Sequence, residues 1–228
     1  MGRTTLMPSS KAPLLARLDA IALARSAGTG PAHDHLHVRR VAANARLLCR
    51  AERADEASAD VAVAAALLHE LWNYPKDHPD SARSGEVCAD HARAVLEAEG
   101  CERSFVEAVA YAIAVHSFSR GIVPETLEAK VLQDADRLDA IGAIGIARCF
   151  ATCSEMRRPF YAPVDPFCAA RDPDDKLWGI DHFYKKLLRI PATLHTASAK
   201  RVGEERVVFL RTYLEQLGRE IGADDAMT

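Results

Sequence analysis

Three short stretches carry residue types that can do chemistry. Leu67-Leu68-His69-Glu70-Leu71-Trp72 sets an imidazole beside a carboxylate, at the end of an apolar run that begins at Val61. Adjacent helical residues point about 100° apart, so both side chains can curl toward one point at a helix's C-terminal end. His33-Asp34-His35-Leu36-His37 places three histidines within five residues, in a chain that has nine. Gln133-Asp134-Ala135-Asp136-Arg137-Leu138-Asp139 interrupts an apolar helical face with acids. Asp136 and Asp139 share a face at i, i+3, while Asp134 points away. Imidazole and carboxylate are ligands for a divalent ion, but one adjacent pair is not a site. His37, His69, Glu70 and Asp136 are therefore the candidate metal set, for Mn, Mg, Fe, Co, Ni or Zn. Such an ion acidifies a water into a nucleophile near neutral pH.

Other residues extend the set. His91 and His116 fall between Glu70 and Asp136 and are candidates for a second ion. His116 ends an apolar helical run, as His69 does. Arg40, Lys76, His78 and Arg137 are candidate substrate contacts, because local cations in an otherwise acidic chain suit a phosphorylated small molecule. Glu70, Lys76 and His116 are the candidate catalytic residues. Glu70 serves as a ligand or as base on the water, and Lys76 in leaving-group stabilisation.

The elements that must position these residues read as helices. Ser9-Ser10 can cap a helix over residues 11–27, stopped by Gly28-Thr29-Gly30-Pro31. Asp34 can cap a second helix, to about Ala54, on which His37, Arg40 and Asn44 share a face. Ser58 or Asp60 opens the central, alanine-rich helix that delivers His69-Glu70. Two prolines, Pro75 and Pro79, then forbid a regular helix. Helices are expected over residues 81–99 and 104–116, and one long helix over 126–150. Within that helix, Ala140, Gly142, Ala143 and Gly145 would let another backbone approach. Residues 156–173, with four prolines, are a candidate lid or dimer contact. Helices over 174–189 and 197–221 close the chain. No convincing β-strand or internal repeat is present.

The bulk numbers bound the class. With 228 residues, 49% hydrophobic and 27% charged, the chain is long enough for one well-buried core. A net charge of −3 gives no global basic field for duplex nucleic acid. Six cysteines without a C-x-x-C pair point away from a disulfide framework and fit a reducing cytoplasm. Lys11, Arg17, Asp19 and Arg25 break the N-terminal apolar run, so no secretory leader is expected. No stretch approaches the roughly 18 to 20 apolar residues of a membrane span.

The constellation resembles the HD-domain superfamily of metal-dependent phosphohydrolases, whose pattern is H…HD…D on an all-α scaffold. His37 matches the first His, in a His33-Asp34-x-x-His37-x-x-Arg40-Val41 segment similar to the usual opening. His69-Glu70 matches the HD pair, and Asp136 the last Asp. Lys76-x-His78-Pro79, His116-Ser117-Phe118-Ser119 and residues 133–145 resemble a bacterial stand-alone subgroup that includes nucleoside triphosphate pyrophosphohydrolases. The departure is Glu at position 70, which carries its carboxylate about 1.5 Å further out. The resemblance implies an all-α, single-domain HD-type helical bundle. An N-terminal helix (1–28) precedes the hydrolase domain (29–221), and a disordered tail follows (222–228). It implies hydrolysis of a phosphoester or phosphoanhydride, most readily of a nucleotide, with a divalent metal as cofactor. Two alternatives stand beside it. A mixed-valent di-iron oxygenase of the HD type would need His91 and His116 as ligands. A catalytically silent HD ligand-binding module is the other, prompted by Glu70.

Overall fold

A computed structural model describes residues 11–26, 34–74, 78–117 and 121–222. Ser9-Ser10, the Gly28–Pro31 stop, His33, Lys76 and the end of the tail lie outside the described residues. Every regular element among them is helical. The helices are α1 (Ala12–Arg25), α2 (His35–Ala51), α3 (Glu56–Leu68), α4 (Ser84–Ala98), α5 (Arg103–Val115), α6 (Leu127–Asp139), α7 (Gly142–Glu155), α8 (Asp181–Lys185) and α9 (Ala197–Glu220). They fall into two compact units, and the boundary lies inside α6, between Ala135 and Asp136.

The first unit is built around α3. Asp55 caps it by accepting the Ser58 N–H at 2.7 Å, so the helix starts earlier than the expected Ser58 or Asp60. From Asp60 to Leu68 every residue is buried, which is the signature of a helix covered on all sides. Its alanines let α1, α2 and α5 approach closely. Asp34 caps α2 as expected, accepting the His37 N–H at 2.9 Å. That bond fixes His37 in the first turn, where it begins the buried stripe His37, Val38, Val41, Ala45 and Leu48.

The second unit is organised differently from expectation. The long helix over 126–150 is broken: Ile141 is extended (φ −127°, ψ 168°) and Gly142 has φ +77°, a conformation that suits glycine. The small residues serve this break. A Cβ on Gly145 would lie 2.2 Å from the Ala140 carbonyl oxygen, so the close approach is to the preceding turn. The helix expected over 174–189 shrinks to α8, followed by a 3-10 segment, Leu187–Thr193, that contains Pro191. Its first half is held by side chains instead of helical bonds. Arg171 donates to both oxygens of the fully buried Asp181 at 2.5 and 2.7 Å, and the Asp174 N–H donates at 2.6 Å. The 156–173 stretch is knotted in the same way, with the Asp165 carboxylate accepting the N–H groups of Ala169, Ala170 and Arg171. Thr196 caps α9, which lays Val207, Leu210 and Leu214 against the core.

Candidate metal centre

Two helix ends and one helix start converge in the first unit. α3 terminates at His69, its C-cap, and α5 terminates likewise at His116. Each ring turns back on its own helix: His69 Nδ1 lies 2.7 Å from the Ala66 carbonyl, and His116 Nδ1 lies 2.6 Å from that of Ile113. A carbonyl only accepts, so Nδ1 carries the proton in both rings. Nε2 of the neutral ring keeps its lone pair. A backbone carbonyl that fixes the tautomer in this way is the usual support of a metal-binding histidine. His37 comes in from α2, with its ring 5.4 Å from that of His69, and the His116 ring stands 5.4 Å beyond His69 on centroids.

Glu70 completes the group. Its Oε1 lies 4.0 Å from His37 Nε2 and 3.9 Å from His69 Nε2, while Oε2 accepts from the Asn73 amide. The three ligand atoms lie within 4.8 Å of one another. Both imidazoles are fully buried and the carboxylate is largely so. Two nitrogens and one carboxylate oxygen, gathered in a buried site, are a donor set for a divalent ion such as zinc or its neighbours. The residues fit the cofactor.

α4 holds this end of α3 in place. Ser84, Cys88 and His91 follow one another at i, i+4 and i+7 on a single face. The Ser84 hydroxyl accepts the Tyr74 N–H at 3.1 Å. The Cys88 thiol donates to the carbonyls of His69 and Leu68 at 3.2 and 3.4 Å. The His91 ring stacks on Trp72 at 6.0 Å. Burial pushes the Cys88 thiol up to about 12, so it stays a neutral donor.

The remaining expected residues are placed as follows. His91 is exposed and lies outside the three-residue ligand group. His78 stacks on Tyr74 at 4.4 Å, and its Nδ1 accepts the Asp80 N–H at 3.0 Å. Arg40 is half-buried, one turn beyond His37 on α2. Arg137, expected among the phosphate contacts, is buried, and its guanidinium donates to the Thr193 carbonyl and meets the His195 ring at 3.2 Å. Those partners belong to its own unit, so this guanidinium braces the second unit. Asp136 is half-buried and is that unit's first described residue. Just before it, Asn44 of α2 donates to the Ala135 carbonyl at 3.3 Å. Asp139 is buried against Arg148, 2.9 Å away, and Asp134 is buried too. Sequence reasoning missed Asn73, Ser84 and Cys88. Only the i, i+3 spacing of Asn73 from Glu70 offered a signal.

Comparison with known proteins agrees with this geometry. The HD domain family model matches residues 35–141, a span that holds His37, His69, Glu70, His116 and Asp136. YpgQ of Bacillus subtilis is 34% identical over 200 residues, 86% of this chain and 88% of that protein. The crystal structure of YpgQ in complex with ADP superposes with a TM-score of 0.71 and 30% identity, covering 91% of this chain and 95% of that one. An HD-superfamily hydrolase from Bacillus thuringiensis superposes with a TM-score of 0.73 and 29% identity, covering 94% of this chain and all of that one. The fold is that of the HD-superfamily hydrolases, and the chain belongs to the HD-domain superfamily.

Proposed function

We propose that this chain is a metal-dependent phosphohydrolase acting on a nucleotide. The observation that carries the reading is the buried group of His37, His69 and Glu70, with one ligand atom from each within 4.8 Å of the others. Asp136 is proposed as the fourth ligand from the family pattern. A divalent ion there supplies positive charge to a phosphoryl oxygen and makes an attacking water acidic near neutral pH.

The chain's own residues do the rest. The rigid Nδ1–H contacts of His69 and His116 hold both rings against rotation. His116 Nε2 then takes or gives a proton at the reacting phosphate, from a half-buried ring one step beyond His69. Arg40 and Lys76 neutralise the non-reacting phosphate oxygens. ADP bound to YpgQ supports a nucleotide as the substrate class. The oxygenase alternative needs His91 as a ligand, and the stacking of His91 on Trp72 gives it no support.

The test is release of phosphate or pyrophosphate from a panel of ribo- and deoxynucleotides with Mn, Mg, Co and Ni, repeated with His69→Ala. Metal-dependent turnover that the variant loses is the expected outcome. Turnover retained by His69→Ala, or none from a wild-type protein that binds metal, would overturn the reading.

A further inference from the structure

Aromatic residues are 6% of the chain, yet two of them, Trp72 and Tyr74, follow Glu70 within four residues. With His78 they form a ladder of rings. Trp72 meets Tyr74 edge-to-face at 4.2 Å, and Tyr74 stacks on His78 at 4.4 Å with the planes only 13° apart. None of the three is buried. The ladder is anchored at its base, where Trp72 stacks on His91 and the Tyr74 N–H is held by Ser84. It stays open at its tip, where the His78 side chain is 39% exposed.

The ladder also lies at a useful reach. Trp72 and Tyr74 are two and four residues from Glu70, so their Cα atoms lie at most about 7 and 14 Å from that of the ligand. Both bounds fall within the reach of a nucleotide whose phosphate lies at Glu70. The Asp80 N–H occupies the Nδ1 lone pair of His78, which leaves the proton of the neutral ring on Nε2. His78 therefore offers a base both a flat face and a donor at its edge. A phosphate contact would use only the edge.

Resting on the nucleotide reading above, we propose that the Trp72–Tyr74–His78 ladder is the nucleobase platform of this site. The base stacks on the face of His78 turned away from Tyr74. Stacking tolerates any base because every base has a π-face, so the platform sets nucleotide over inorganic phosphate and leaves base identity weakly read.

The experiment compares two non-hydrolysable ligands that differ only by the nucleoside, α,β-methylene-ADP and methylenediphosphonate. Each is titrated calorimetrically into the full chain with Mn present. Stacking is worth about 1–3 kcal/mol per base, so wild type should prefer the nucleotide by about 5- to 150-fold. His78→Ala and Tyr74→Ala should each collapse that ratio toward one, and Tyr74→Ala should do so with methylenediphosphonate affinity unchanged. His78→Phe should restore it by supplying a ring. A wild-type ratio near one, or a ratio unchanged in both alanine variants, would overturn the platform. The hydrolase reading fails separately, through absence of turnover, since these affinities are read without it.

Discussion

His69→Ala separates what the imidazole does for the fold from what it does for an ion. Without metal, the variant loses the Nδ1–H bond to the Ala66 carbonyl at 2.7 Å, about 1 kcal/mol net. It also opens a cavity beside the His37 and His116 rings, for about 1–2 kcal/mol more. A chain of this length loses about 2–4 °C of Tm per kcal/mol, so the metal-free Tm should fall by about 4–12 °C. The ion's contribution is different in kind. At 100 times its Kd it adds about 2.7 kcal/mol, or about 5–11 °C, and it does so only where the ligand set is intact. Thermal melts of chelated and Mn-supplied protein should show this gain in wild type and lose it in His69→Ala. His91→Ala removes an exposed ring outside the ligand group and should keep the gain in full. A metal-induced rise that survives in His69→Ala, or one that vanishes in His91→Ala, would refute the assignment of ligands.

Four further outcomes are expected. Alkylation of the native protein at pH 8, read by peptide mass, should label Cys101 and Cys168 alone, because Cys49, Cys88, Cys149 and Cys153 are buried; the reaction should be slow, since burial raises Cys101 and pushes Cys168 up to about 11. Arg171→Ala leaves the buried Asp181 carboxylate with the Asp174 N–H and should cost about 3–5 kcal/mol in urea unfolding. Burial raises Asp181, but the Arg171 and Asp174 hydrogen bonds outweigh it and hold the acid below the usual carboxylate value, so its stabilisation is present above about pH 4 and lost as pH falls through the folded value; Asp181→Asn should flatten the acid side of a Tm–pH profile. Gly145→Ala drives a Cβ onto a backbone oxygen and should cost about 3 kcal/mol, whereas Gly100→Ala meets no atom and pays only for its φ of +72°, about 1 kcal/mol.

What could be read ahead of the structure depended on locality. Asp34 was legible as a cap because the bond it makes reaches only three residues. The pairing of His69 with His116 was legible because each closes an apolar helix, a pattern that periodicity exposes. The α6–α7 break was hidden, since hydrophobic spacing runs on through 126–150 and the chain turns only at the extended Ile141 and the positive-φ Gly142. The 174–189 segment reads as helix by composition. The Asp181 carboxylate, paired with Arg171 ten residues away, accepts the Asp174 N–H and holds this stretch in a non-helical path. Arg137 reads as a phosphate contact from the charge in its motif, whereas its bond to the Thr193 carbonyl, 56 residues away, left no signal there. His91 fell in the interval where a second ligand would sit, but its place on α4 is set by Ser84 and Cys88, which share its face and hold the other residues of the 68–74 segment.

The Glu at position 70 bears most directly on whether the site is a working one. Its extra methylene, about 1.5 Å of reach, would overshoot a site laid out for Asp if the chain delivered both from the same place. Here α3 has already ended at Leu68, and Glu70 stands in the turn beyond the His69 cap. The Asn73 amide fixes Oε2, which leaves Oε1 at 4.0 and 3.9 Å from the two imidazole nitrogens. An oxygen almost equidistant from both nitrogens, with its partner tied down, could share an ion with them. The lone pair of His69 Nε2 faces that anionic oxygen, an arrangement that a common cation stabilises. The longer side chain and the Asn73 clamp therefore act as one unit. That pairing favours a carboxylate kept as a ligand over one left behind by a lost activity.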